Sequence, residues 1–226
     1  MRTKKQKEVV AVEKILEKPI HDADYWVNRP INDKHLDWDY PGNWIEGYWQ
    51  SIDHPHRQMI LGSLEVLEPF DSLLELGCSC GPNLRLIKNK YPSANLAGID
   101  VEPRSIKMGL DQLREVDLRV GNFTKLPWNT DQFDVVLCDA VLMYLNGDEA
   151  QQCISEITRV AKKAVIVVDR FNESVLGVRN GDVWARNYHE LFEKSGFKVS
   201  KKKIPKEAWP GGIGWQKFGY VFTAQK

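Results

Sequence analysis

The chain has 226 residues, 42% hydrophobic and 27% charged, and its 31 basic and 31 acidic side chains leave a formal net charge of zero. That length can build one substantial core, and the balanced charge argues against a broad nucleic-acid or anionic-membrane surface. No apolar run approaches a membrane span, and Gln6 to Lys18 is too charged for a signal-peptide core, so a reduced, cytoplasmic setting is expected. The four cysteines (Cys78, Cys80, Cys138 and Cys153) are too few and too irregularly spaced for a disulfide framework. Cys78-x-Cys80 has no neighbouring Cys or His to complete a four-ligand set, so no metal is expected.

Residues 4 to 18 place Val9, Val10, Val12, Ile15 and Leu16 at mixed helical spacing, which predicts an amphipathic helix. From Ala23 to Gln50 the composition changes. Tyr25, Trp26, Trp38, Tyr40, Trp44, Tyr48 and Trp49 crowd a stretch broken by Pro30, Pro41, Gly42 and Gly47. This predicts an irregular cap whose rings pack on the rest of the chain or line a small-molecule pocket. Ser51 to Arg57 then leads into a helix carrying Met59, Ile60, Leu64, Val66 and Leu67. His54 and His56 are two apart and so do not share a helical face. Either imidazole has the right basicity for a general base, and Arg57 suits a carboxylate, while helix capping and salt bridging account for the segment equally well.

Leu73-Leu74-Glu75-Leu76 reads as a strand covered on both faces. The turn Gly77-Cys78-Ser79-Cys80-Gly81 follows, with Pro82 at the first position of a helix running to Lys90. Such a turn is expected to aim free amides and a positive helix end at a polar ligand. A second strand runs from Ala94 into Asp100, and Pro103 opens a helix to Leu113. A third strand, Val116 to Val120, reaches Gly121-Asn122-Phe123, and a fourth, Val135 to Asp139, reaches Ala140-Val141-Leu142. A helix over Gly147–Lys162 and a strand through Val165–Val168 come next, then a lid-like loop from Phe171 to Asp182 and a helix from Trp184 to Lys194. Phe197–Ile204 and Phe218–Ala224 alternate like two strands, and their short connection predicts an antiparallel pair. Lys198, Lys201, Lys202, Lys203 and Lys206 fit a solvated, lysine-protected sheet edge.

Glu75-x-Gly77-x-Ser79-x-Gly81 resembles the first motif of the class I S-adenosylmethionine-dependent methyltransferases, an acid-x-Gly-x-Gly-x-Gly pattern, with Ser79 in place of the middle glycine. The dinucleotide fingerprint fits less well, because Ser79 and Pro82 fall on its second and third glycines. Asp100-Val101-Glu102-Pro103, Gly121-Asn122-Phe123 and Leu126-Pro127-Trp128 extend the resemblance over about residues 70 to 226.

The resemblance implies a Rossmann-like, doubly wound α/β fold. Its sheet would have seven strands, mostly parallel, with an antiparallel last strand. Residues 1–69 would form the helical, aromatic cap and residues 70–226 the domain that binds S-adenosylmethionine. The family pattern assigns Glu75 and the turn Gly77, Cys78, Ser79 and Gly81 to the methionine end, Asp100 with Val101 to the ribose, and Asn122 with Phe123 to adenine. Asp139 would face the reacting methyl, with Arg57 a possible clamp for the cofactor's carboxylate. Trp44, Tyr48, Trp49 and Tyr144 are the candidate substrate residues, and His54 or His56 the candidate base. Asp139-Ala140-Val141-Leu142 is not the Asn/Asp-Pro-Pro-Tyr/Phe motif of amino methyltransferases, and no Pro-Cys pair occurs; the Val-Leu-x-Tyr-Leu run from Val141 to Leu145 instead resembles methyltransferases acting on small molecules, and that resemblance implies a small-molecule acceptor rather than nucleic acid. Two rivals stand beside this expectation: a non-catalytic, methyltransferase-like partner subunit and an NAD-dependent oxidoreductase.

Overall fold

A computed structural model describes residues 22–33 and 40–226. The helix expected over residues 4 to 18, and Trp38, lie outside the described residues.

Among the described residues, three α-helices precede the first strand: α1 (Ala23–Asn28), α2 (Trp44–Gln50) and α3 (His56–Val66). Asn43 and Glu46 close a reciprocal capping box on α2, and Asp22 caps α1. Strands and helices then alternate: β1 (Ser72–Leu76), α4 (Pro82–Lys90), β2 (Asn95–Asp100), α5 (Pro103–Gln112), β3 (Asp117–Val120), β4 (Phe133–Asp139), α6 (Gly147–Val160) and β5 (Ala161–Arg170). A hairpin of β6 (Val178–Asn180) and β7 (Val183–Ala185) follows. The chain ends with α7 (Tyr188–Lys194), β8 (Lys198–Lys203), α8 (Ile213–Phe218) and β9 (Gly219–Gln225).

The main sheet has seven strands in the order β3-β2-β1-β4-β5-β9-β8. The pairs from β3 through β5 are parallel, and β9 runs antiparallel to both β5 and β8. This is the expected Rossmann-like sheet with its antiparallel last strand. Both faces are buried, which is why β1 and β4 read as continuous apolar runs. Leu73, Leu137, Ile166 and Val168 pack with Ile60 and Leu64 of α3 and Leu84 and Ile87 of α4. On the other face, Leu74, Leu76, Cys138 and Val167 pack with Ile154 and Ile157 of α6 and Phe192 of α7. β8 is the exposed edge, with Lys198, Lys201, Lys202 and Lys203 in solvent.

Three local expectations give way. The loop expected over Phe171–Asp182 contains β6, because Gly181, at φ +67, lets the chain turn directly into β7. Trp184 pairs with Arg179 in that hairpin, so the following helix begins at Tyr188 rather than Trp184. The helix expected to reach Lys162 stops at Val160, because Ala161 pairs with Phe133 and opens β5.

Candidate active site

The parallel strands end together, and the register sorts what they present. Glu75 lies beside Gly98 and Leu137, and Asp139 lies beside Val168. Since side chains alternate along a strand, Asp100, Glu75, Asp139 and Arg170 all fall on one face, at the carboxyl ends of β2, β1, β4 and β5. They line a cavity of about 450 Å³. Across the sheet the sequence of charges is acid, acid, acid, cation.

The turn after β1 makes this possible. Gly77, Ser79 and Gly81 all adopt positive φ, at 69°, 49° and 86°. A side chain on Gly77 would come within 2.2 Å of Val141, so close packing as well as conformation requires glycine there. Most of the turn's amides are not free, contrary to the motif's expectation. Gly77 and Cys78 N–H donate to the Ile99 carbonyl, Gly81 N–H donates to Cys78, and Ser79 N–H donates to Asp100 Oδ2 at 2.8 Å. The tight turn folds back on β2, its first two amides on the Ile99 carbonyl and the Ser79 amide holding Asp100 in place. Glu102 N–H donates to the other Asp100 oxygen at 2.9 Å. Burial nevertheless pushes Asp100 up to about 6, against those amide bonds.

A second network joins the remaining acids. Asn83 Nδ2 donates to Glu75 Oε1 at 2.7 Å and to Asp139 Oδ2 at 3.0 Å, while its oxygen accepts from Arg57 Nη1. Arg57 also donates to the Ser51 carbonyl and hydroxyl, at 2.8 and 2.7 Å. Asp139 Oδ2 lies 2.9 Å from His56 Nε2, and His56 Nδ1 lies 2.5 Å from His54 Nδ1. Burial drives the pKa of His54 down to about 4, with His56 and Arg57 adding to the effect, and burial lowers His56 too, so both imidazoles are neutral near pH 7. Burial by itself would raise Asp139. His56, Arg57 and Asn83 outweigh it and hold Asp139 ionised, below the usual carboxylate range. For Glu75, burial, reinforced by the neighbouring Asp139 and Asp100, outweighs the Asn83 hydrogen bond and the Arg57 charge, and its pKa is pushed up to about 8.

Buried polar atoms are normally partnered, yet Glu75 Oε2, Ser79 Oγ, Asp139 Oδ1 and Trp44 Nε1 are not, and all four residues line the cavity. The arrangement can therefore take a polar, cationic ligand, and the orphaned oxygens fit the ammonium and sulfonium of S-adenosylmethionine. Phe123 and Val101 supply an apolar wall. Asn122 reaches the cavity from an exposed turn, with its oxygen already accepting from Thr124 N–H and Oγ1 at 2.9 and 3.1 Å. Among the described residues, no group of three His, Cys, Asp or Glu is placed to hold a metal ion. Burial raises the Cys78 and Cys80 thiols, the latter to about 12, so both stay protonated.

Trp44, Tyr48 and Tyr144 line the cavity, with Tyr144 edge-on to Trp26 at 5.3 Å. Cys80 Sγ donates to the Ile45 carbonyl at 3.4 Å and Arg104 Nη2 to the Arg29 carbonyl at 2.8 Å, fastening α1 and α2 to the sheet domain. Trp49 stands outside, under the Arg85 guanidinium, and His54 and Gly81 are not among the lining residues. Sequence reasoning missed Asn83, Arg170, Trp209 and Trp215, which all line the cavity, as does Trp26 of the cap. Arg170 had a signal, since it ends a buried strand just as Asp100 and Asp139 do. The two tryptophans had another: aromatics set among glycines, as in the cap. Asn83 had none, because its role depends on contacts 8 to 56 residues away.

Residues 74–168 match the family model described as a methyltransferase domain. No curated protein matches the sequence. Among solved structures, magnesium protoporphyrin IX methyltransferase from Synechocystis, with bound S-adenosylhomocysteine, aligns at 14% identity and TM-score 0.62, over 90% of this chain and 97% of that one. A chain from the complex of the Haloferax volcanii Trm112 methyltransferase activator with a methyltransferase aligns at 17% identity and TM-score 0.62, over 80% and 93%. Among the described residues, no helix is long and apolar enough to cross a membrane. Residues 74–168 thus match a methyltransferase domain, and the chain shares the fold of solved methyltransferases that hold S-adenosylmethionine or S-adenosylhomocysteine.

Proposed function

We propose that this chain is an enzyme that transfers a methyl group from S-adenosylmethionine to a small-molecule acceptor, inside the cavity between the strand ends and the helices α1, α2 and α3. The observation that carries the proposal is the row of three acids on one sheet face, all lining an aromatic-walled cavity, with one oxygen each of Glu75 and Asp139 buried and unpartnered. When bound, the cofactor supplies a methyl group made electrophilic by its sulfonium.

The chain's own residues bind and align. Asp100 keeps a lone pair on each oxygen for the ribose hydroxyls while the Ser79 and Glu102 amides fix its plane. Val101 and Phe123 cover the adenine, and Asn122 sits at its rim. Glu75 and Asp139 Oδ1 receive the methionine ammonium, with Arg57 beside them for the carboxylate. The turn from Gly77 through Cys78 and Ser79 to Gly81 acts through Asp100 and through its packing. Trp44, Tyr48 and Tyr144 would orient the acceptor toward the strand ends, where the donor would present its methyl group. Both nitrogens of His56 are engaged, so His56 orients Asp139.

A non-catalytic partner subunit would have no reason to keep acids with buried, unpartnered oxygens along a cavity, and β9 and the matched domain disfavour an NAD oxidoreductase. The test is formation of S-adenosylhomocysteine from S-adenosylmethionine, read by mass spectrometry with pooled phenols, carboxylic acids and amines. Acceptor-dependent product is expected. Asp100→Ala should weaken cofactor binding by about 1–3 kcal/mol through lost buried hydrogen bonds. Unchanged affinity in that variant would remove Asp100 from the site.

A further inference from the structure

Arg170 is the last charge in the row of strand ends, and its surroundings set it apart from the other arginine of the cavity. Arg57 donates to Ser51 and Asn83. The Arg170 Nε is buried with no acceptor, and among the described residues no carboxylate forms an ion pair with its guanidinium. A guanidinium in this state lacks the planar, two-oxygen partner its geometry fits best.

The chain builds a floor for it. Trp209 and Trp215 stack at 4.0 Å between ring centroids, 12° from parallel. The Arg170 guanidinium carbon lies 5.7 Å from the Trp215 ring, and the His56 ring lies 4.3 Å from Trp209 at the other end of the stack. Gly214 lies against the guanidinium so closely that a methyl there would come within 2.7 Å of Nη2. A buried stack thus runs from His56, which holds Asp139, through both indoles to the Arg170 cation, and both indoles line the cavity. Arg170 sits on β5, on the far side of β4 from Asp100, so it lies away from the ribose end and on the side left to the acceptor.

We propose that Arg170 and the Trp209–Trp215 stack form an acceptor subsite for the carboxylate of a planar aromatic acid. The carboxylate pairs with the guanidinium, the ring lies along the indoles, and the nucleophile points back toward Asp139. An anionic acceptor also complements the cationic cofactor held by the three acids. This inference rests on the methyltransferase reading.

The test uses the full chain saturated with S-adenosylhomocysteine and titrated with 4-hydroxybenzoate or its uncharged counterpart 4-hydroxybenzamide, followed by tryptophan fluorescence. The acid should bind at least tenfold more tightly than the amide. Arg170→Ala should bring the two within about twofold, Arg170→Lys should restore part of the preference, and both variants should bind S-adenosylhomocysteine as the parent does. Equal binding of acid and amide, binding of neither, or a preference that survives Arg170→Ala would overturn the subsite. Failure of S-adenosylhomocysteine itself to bind would instead overturn the methyltransferase reading.

Discussion

Glu75 shows how one residue can hold function and stability in opposition. It is fully buried, keeps one oxygen unpartnered, and has its pKa pushed up to about 8 by that burial. An acid whose folded pKa lies above its ordinary value favours folding when protonated. That contribution is complete below the ordinary glutamate range and is lost as pH rises toward about 8. Glu75→Gln keeps an oxygen for Asn83 and removes the charge. It should raise stability at pH 8 by on the order of 1–3 kcal/mol, with little change at pH 4. The same variant should bind S-adenosylhomocysteine more weakly. Thermal melts at the two pH values, paired with a ligand titration, check both signs; a variant less stable than the parent at pH 8 would contradict this account of Glu75.

Among the elements, the turn between β1 and α4 gives the clearest test. Ser79 holds a left-handed backbone at φ 49°, which costs a non-glycine residue about 1–2 kcal/mol. Ser79→Gly should therefore stabilise the chain by about 0.5–1 kcal/mol, after allowing for glycine's freer unfolded state. Gly77→Ala should do the opposite and more strongly, since Val141 occupies the space. Denaturant unfolding of the two variants separates them. This turn was legible in the sequence because its function depends on local spacing: an apolar run, an acid, small residues, then Pro82. The ends of β2 and β4 were legible for the same reason, since each run stops at an aspartate. The β6–β7 hairpin and the Trp209–Trp215 stack were not. Their strands and helices are only three to six residues long, too short for periodicity to register, and they are fixed by contacts across the fold. The free amides expected of the turn failed because the sequence cannot show a chain folding back to bond its own neighbouring strand.

At the scale of the whole molecule, α3 belongs energetically with the sheet. Ile60, Leu61 and Leu64 are buried in the same cluster as Leu73, Leu137 and Ile166. A chain beginning at residue 70 loses that cover, and truncating even one buried leucine or isoleucine costs about 2–5 kcal/mol. Such a chain should melt without a cooperative transition, whereas one beginning at residue 55 should unfold cooperatively. Calorimetric scans of both would check this, and a cooperative melt of the shorter chain would show that α3 is dispensable.

The account's central claim is that this cavity binds the cofactor through its row of acids. Its most direct test is calorimetric titration of the full chain with S-adenosylhomocysteine at pH 7, in two buffers of different ionisation enthalpy, with NAD as a control. Glu75 carries its proton in the free protein at that pH and should lose it beside the ligand's ammonium. The predicted result is micromolar binding with release approaching one proton, an affinity that rises with pH up to about 8, and no binding of NAD. Absence of S-adenosylhomocysteine binding at millimolar concentration would contradict the claim.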